Sequence, residues 1–178
     1  SAMDMVVCMG ASINMAQGME KAGENPEHVV AVIGDSTFFH SGITGLVDLV
    51  YNQGTTKVLI LDNSITAMTG HQDHPGTGRD LYGQDSPIVH VEAIPQALGM
   101  STVVLDPLDI GQLTKELKAG DGAQVIVARR PCALIVPSQP PYVVDREACR
   151  ACKACIRTGC PALQFDGKSR IIAHLCVG

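Results

Sequence analysis

Apolar positions fall along the chain in two alternating rhythms. "HVVAVIG" (28–34), "KVLILD" (57–62), "STVVLD" (101–106) and "AQVIVARR" (123–130) are short runs of aliphatic, largely β-branched residues, the pattern of buried strands. Between them lie stretches with helical spacing. "ASINMAQGMEKAG" (11–23) is rich in small residues and ends near Gly23. "ITGLVDLVYNQG" (43–54) places Ile43, Leu46, Val47, Val50 and Tyr51 on one face, with Gly54 as the stop. "HVEAIPQALGM" (90–100) predicts a short helix. "DPLDIGQLTKELKAG" (106–120) predicts a longer one, with Asp106 as N-cap, Pro107 in the first turn and Gly120 as the stop. Strand and helix alternating at this spacing predict an α/β domain, a parallel sheet flanked by helices.

Two stretches break the rhythm. "NSITAMTGHQDHPGTGRDLYGQDSP" (63–87) is long, polar and weakly periodic, and loops of that length inside a compact domain are usually functional or disordered. "VPSQPPYVVD" (136–145) carries three prolines and reads as a connection. The expected organisation is therefore a main domain over 4–136, a linker over 137–145 and a cysteine-bearing module over 146–178. "SAMDM" reads as a cloning remnant ahead of an arbitrary start, which suggests a fragment of a longer protein.

Composition narrows the classes. At 178 residues and 46% hydrophobic, the chain can build one good core and a small appendage. Aromatics are 3% and tryptophan is absent, so that core must come from Val, Ile, Leu, Ala and Met. A net charge of −5 argues against a duplex nucleic-acid partner, which needs a basic face. No apolar run approaches the roughly 20 residues of a membrane helix, and no signal peptide opens the chain. Charge is uneven: 15 acids and 7 bases precede residue 145, and 3 acids and 6 bases follow from there. The basic tail is either a solvated face or a surface that steers an acidic electron partner. Four of the seven cysteines lie within 149–160. An odd, clustered count favours metal or cluster binding in a reducing, cytoplasmic setting over a disulfide framework. Cys8, Met9 and Cys132 sit in apolar surroundings and read as core.

The first candidate chemistry sits where a strand ends in Gly34-Asp35-Ser36-Thr37. Twenty-five residues separate Ser36 from Asp62, enough for helix, turn and strand to return to the same sheet edge. Asp35 and Asn63 then end adjacent strands. A carboxylate, an amide oxygen and a backbone carbonyl suit Mg²⁺ when a diphosphate fills further positions. Gly34 would let backbone come close, and Ser36 and Thr37 could meet phosphate oxygens. The alternative is that Asp35 caps a helix and "DNS" is an ordinary turn. His71, Asp73 and His74 read as a solvated or substrate-facing loop rather than a metal site. Arg129 and Arg130 read as partners of nearby acids, with anion binding the alternative.

Gly34-Asp35-Ser36, then 25 residues, then Asp62-Asn63 resembles the Gly-Asp-Gly … Asn-Asn signature of thiamine-diphosphate enzymes. With "GDSTFFHSGI", "LILDNSITAMTGHQ" and "CMGAS" upstream, the chain resembles the 2-oxoacid:ferredoxin oxidoreductases. Within them it looks like the α subunits of the indolepyruvate branch, over nearly its whole length. The resemblance implies that Asp35 and Asn63 bind Mg²⁺ by side chain and Ile65 by its carbonyl. It implies that Gly34, Ser36 and Thr37 touch the diphosphate, and that Thr69, Gly70, His71 and Gln72 line the pocket over the thiazolium. Ser36 and Asp62 depart from the general signature, which has glycine and asparagine there.

The second candidate is "CRACKACIRTGCP", a C-x2-C-x2-C-x4-C-P run at Cys149, Cys152, Cys155 and Cys160. It is the bacterial ferredoxin run with one extra residue in the last gap, and it favours a [4Fe-4S] cluster. Zinc is the rival, although structural zinc prefers two well-separated C-x2-C pairs. Cys176 in "LCVG" looks like the first cysteine of a second run, so the expectation is cluster loss or one makeshift cluster. The resemblance implies oxidative decarboxylation of an arylpyruvate, with coenzyme A taking the acyl group and ferredoxin the electrons. The remainder of the α subunit and a β subunit would be partners in an oligomeric enzyme. A glutamate from a separate domain is expected to complete the site, so this chain carries half of it and is not expected to turn over alone. A non-redox 2-oxoacid decarboxylase and a non-enzymatic electron-transfer or zinc module remain the alternatives.

Overall fold

Four of the predicted runs form one parallel sheet. In the computed structural model, which describes residues 3–119 and 122–178, the strands are β1 (Val30–Gly34), β2 (Lys57–Asp62), β3 (Ser101–Leu105) and β4 (Gln124–Arg129), in the order β1-β2-β4-β3. The register pairs Gly34 with Leu61 and Asp62 with Arg129, so three strands end at one level. The helices are α1 (Ser12–Lys21), α2 (Asp35–Thr37), α3 (Ile43–Tyr51), α4 (Ala93–Ala97) and α5 (Ile110–Lys118). A π-turn over Phe38–Gly42 joins α2 to α3. The parallel sheet flanked by helices expected from the sequence is the fold observed. The chain divides into two compact units, one ending at Cys132 and the other running Ala133–Gly178. Among the described residues no helix is long and apolar enough to cross a membrane.

Each face of the sheet has its own core. Ile13, Ile33, Phe38, Leu46, Leu49, Val58, Ile60, Val125 and Val127 pack together on one side. Leu105, Ile126 and Ala128 pack with Leu113 and Leu117 of α5 on the other. This second layer is thinner over β1, an edge strand, where Val30 and Val32 remain partly exposed rather than buried as their apolar run suggested. The apolar stripe of α3 also differs from expectation. Its buried residues are Gly45, Leu46 and Leu49, whereas Val47, Val50 and Tyr51 face outward. Glycine explains the rotation. A Cβ on Gly45 would lie 3.2 Å from Ile13 Cβ, so α1 packs directly against that bare backbone. Large apolar residues alone could not reveal a contact face made by glycine.

Two further local expectations are corrected. The N-cap of α5 is Asp109, which accepts the Gln112 N–H at 2.9 Å; Asp106 instead caps the Pro107–Leu108 turn by accepting the Leu108 N–H. The predicted stop, Gly120, lies outside the described residues. Cys8 and Met9 are exposed and Cys132 is half-buried. Gly10, at φ +89°, turns the backbone just before α1, and the mostly apolar residues 3–9 lie outside the core.

α1 is fastened to the start of β2 by Glu20. Its carboxylate accepts the N–H and hydroxyl groups of Thr55 and Thr56 at 2.7–3.2 Å. Burial pushes its pKa up, but these four donors outweigh it and hold the carboxyl below its ordinary 4.5. Glu20→Ala is expected to cost about 1–3 kcal/mol by stranding the donors of Thr56, which is fully buried. Urea unfolding at pH 7 reads that loss. Because the folded pKa is depressed, the contribution is present above the unfolded value and disappears as pH falls through the folded one.

The second unit is built on an antiparallel hairpin of β5 (Leu163–Asp166) and β6 (Lys168–Ile171), turned at Gly167. A 3₁₀ turn over Ala154–Thr158 packs against it. Residues 137–145 form no helix or strand. Asp145 caps the following turn by accepting the Glu147 and Ala148 N–H groups.

Candidate active site

Asp35 stands at the carboxyl end of β1, where open α/β sheets place their ligands. It is 3% exposed, an unusual burial for a carboxylate. Donors surround it. Oδ1 accepts the Ser36 N–H at 2.7 Å, and Oδ2 accepts the N–H groups of Asn63 and Ser64 at 3.1 and 2.9 Å. His74 Nε2 lies 3.3 Å from the same Oδ2, with both side chains buried. Burial alone would raise the pKa of Asp35, but the His74 imidazole and the backbone N–H groups hold it below the usual carboxylate range. The group is a buried, fixed anion.

The turn after β2 completes the floor. Ser64 adopts φ +61°, and Asn63 Oδ1 accepts the Ile65 N–H at 3.2 Å. The Ile65 carbonyl accepts from Ala67, leaving one lone pair uncommitted. Arg129 braces this turn from β4. Its Nε donates to Asp62 Oδ2 at 2.7 Å, and its NH1 and NH2 groups grip Glu92. Arg130 pairs with Asp106, so both arginines take acidic partners. Asp62, Ser64, His74 and Arg129 border a polar cavity of about 120 Å³.

Gly34 is the informative glycine. Its φ of −80° and ψ of 156° suit any residue, and a Cβ there would meet nothing within 4 Å. Neither backbone strain nor packing requires glycine, so the open space above it is what a ligand could use. A carboxylate, an amide oxygen and a carbonyl beside that space are hard donors of the kind Mg²⁺ accepts. The residues present fit a metal–diphosphate group.

Thr69, His71 and Gln72 lie on an exposed turn closed by pairing of Thr66 with Gln72. Thr69 Oγ1 donates to Gln72 Oε1, and Thr66 Oγ1 donates to Ser36 Oγ at 2.8 Å, which pins this turn to the start of α2. His71 is exposed as a loop residue should be, but His74 is not. His74, expected on a solvated or substrate-facing loop, is buried instead. Pro75-Gly76 bends the chain so that the Gly76 N–H reaches His74 Nδ1 at 3.1 Å, and Phe39 stacks near the ring at 5.6 Å. The His-Pro-Gly triplet was the available signal.

The thiamine pyrophosphate enzyme C-terminal TPP-binding domain family matches residues 2–128. This chain belongs to the thiamine pyrophosphate enzymes. It is 36% identical to indolepyruvate oxidoreductase subunit IorA of Pyrococcus horikoshii over 98% of this chain and 31% of that protein. It is 40% identical to the same subunit of Archaeoglobus fulgidus over 98% of this chain and 30% of that one. The chain thus spans about a third of the length of the curated relatives it matches. Among solved structures, benzoylformate decarboxylase from Polynucleobacter necessarius aligns at TM-score 0.46 and 21% identity, covering 70% of this chain and 25% of that one.

In the second unit all the cysteines are free thiols. Cys155 Sγ lies 2.9 Å from Ser169 Oγ, and Ala151 and Lys153 take left-handed backbone conformations between the cysteines. N–H groups of Ser169 and Ala151, with the Ser169 hydroxyl, hold the Cys149 pKa below the ordinary thiol value despite partial desolvation. Among the described residues, no three His, Cys, Asp or Glu side chains converge on one metal position.

Proposed function

We propose that this chain supplies the Mg²⁺–diphosphate half of the active site, together with an iron–sulfur module, of an indolepyruvate:ferredoxin oxidoreductase. The observation that carries the reading is Asp35, a buried carboxylate at a strand end, tied to Asn63 beside the open space over Gly34. Asp35, Asn63 and the Ile65 carbonyl would hold the metal. Gly34, Ser36 and Thr37 would receive the diphosphate, and the pinned turn at Thr69, His71 and Gln72 would lie towards the substrate. Bound thiamine diphosphate supplies the carbanion that attacks the 2-oxoacid and the electron sink for decarboxylation. This chain's residues hold the metal–diphosphate end still so that the reacting end is oriented.

The main domain, a linker over 137–145 and a ferredoxin-like module over 146–178 divide these tasks. Cys149, Cys152, Cys155, Cys160 and Cys176 are the ligands available for [4Fe-4S] chemistry, supported by the run's spacing and the depressed Cys149 thiol. The arylpyruvate loses CO₂ and two electrons, coenzyme A takes the acyl group and ferredoxin takes the electrons. The rest of the subunit, a β subunit and a reducing cytoplasm complete the setting. Titration calorimetry with thiamine diphosphate and Mg²⁺ tests the first step. Binding is expected for the chain and none for Asp35→Ala, and absence of binding to the unaltered chain would overturn the reading.

A further inference from the structure

We infer that His74 is a positioning residue: its Nε2–H clamps one oxygen of Asp35 and so leaves the other free for a divalent cation. This inference rests on the cofactor reading above. His74 Nδ1 accepts the Gly76 N–H at 3.1 Å, so that nitrogen carries a lone pair and the ring proton sits on Nε2. Nε2 is fully buried and makes no aligned hydrogen bond of its own. The acceptor in reach is Asp35 Oδ2 at 3.3 Å. A buried donor left off-line is costly, and a small movement of the carboxylate would align it.

The two oxygens of Asp35 are unequally used. Oδ2 faces three N–H groups, from Asn63, Ser64 and His74, whereas among the described residues Oδ1 accepts the Ser36 N–H alone. A carboxylate oxygen has two lone-pair positions. Asn63 and Ser64 fill those of Oδ2, His74 closes its remaining approach, and Oδ1 keeps a position to give a metal. The imidazole is itself held. Phe39 stacks near it, and a Cβ on Gly76 would lie 3.0 Å from both His74 Cε1 and Phe39 Cε2. The slot fixes the ring, the ring fixes Oδ2, and Oδ2 fixes where Oδ1 points. His74 lies in the long 63–87 loop, so ordering of that loop and metal binding share one contact.

Mn²⁺ binding in the presence of thiamine diphosphate, followed by electron paramagnetic resonance, tests this on the 178-residue chain alongside thermal melting. His74→Phe keeps a ring in the slot and removes the donor. Outer partners of metal ligands typically contribute about 10- to 100-fold in affinity, and that loss is expected here. His74→Gln retains an N–H and is expected to bind within a few-fold of the unaltered chain. Unchanged Mn²⁺ affinity in His74→Phe would overturn the inference. So would equal weakening in both variants with a matching drop in melting temperature, since packing would then be the role. Asp35→Asn separates the layers: if it binds Mn²⁺ like the unaltered chain, the cofactor reading itself falls.

Discussion

Gly34→Ala is expected to separate binding from stability in opposite directions. Alanine fits the backbone at φ −80° and ψ 156°, and its methyl would meet no protein atom within 4 Å. Replacing glycine at a compatible position stiffens the unfolded chain and stabilises the fold by about 0.4–1 kcal/mol. The same methyl enters the space that the diphosphate is proposed to use. Overpacking of this kind costs about 1–3 kcal/mol, or roughly ten- to hundred-fold in dissociation constant. Gly34→Val, which pushes further into that space, is expected at the upper end. Calorimetry with thiamine diphosphate and Mg²⁺ reads the affinity, and urea unfolding reads the stability. Ordinary binding by Gly34→Ala would mean that the backbone there never approaches a ligand.

That glycine shows what the sequence could and could not reveal. Its place in Gly34-Asp35-Ser36, at the end of an aliphatic run, was legible because a strand end and a breaker are both local signals. The four strands were legible for the same reason, as was the parallel arrangement, since the intervening lengths allow little else. What escaped were features set by distant neighbours. The buried face of α3 depends on Gly45 meeting Ile13, and no periodicity of large residues records that contact. The N-cap of α5 moved from Asp106 to Asp109 because Pro107–Leu108 forms a turn, and both aspartates satisfy the same sequence rule. His74 was hidden in a polar loop, where composition predicts solvent, while Phe39 and Gly76 built a slot for it. Asp35 could be named as a ligand from its position, but three of the N–H groups around it, from Asn63, Ser64 and His74, come from the 63–87 loop.

Asp62 poses a sharper case, because the signature it resembles has asparagine there. A carboxylate in a site 7% exposed needs a cation, and Arg129 provides it from the paired position on β4. Arg129→Met is therefore expected to be strongly destabilising, at about 2–4 kcal/mol. A fully buried pair would lose about 3–5 kcal/mol, and the arginine is 35% exposed, so water softens the loss. The Arg129 hydrogen bond is the main cause that holds Glu92 below its ordinary 4.5, with burial acting against it. A depressed folded pKa stabilises above the unfolded value and ceases to as pH falls through the folded one. The gap between Arg129→Met and the unaltered chain is thus expected to be full at pH 7 and to narrow below about pH 4.5. Adding Asp62→Asn to Arg129→Met removes the stranded charge, while the amide oxygen can still accept the Ser64 N–H. The double variant is expected to recover about half or more of the loss at pH 7, because replacing both partners costs less than removing one. Additive losses in urea unfolding would show that the two side chains act separately, and the aspartate at position 62 would then need a reason other than Arg129.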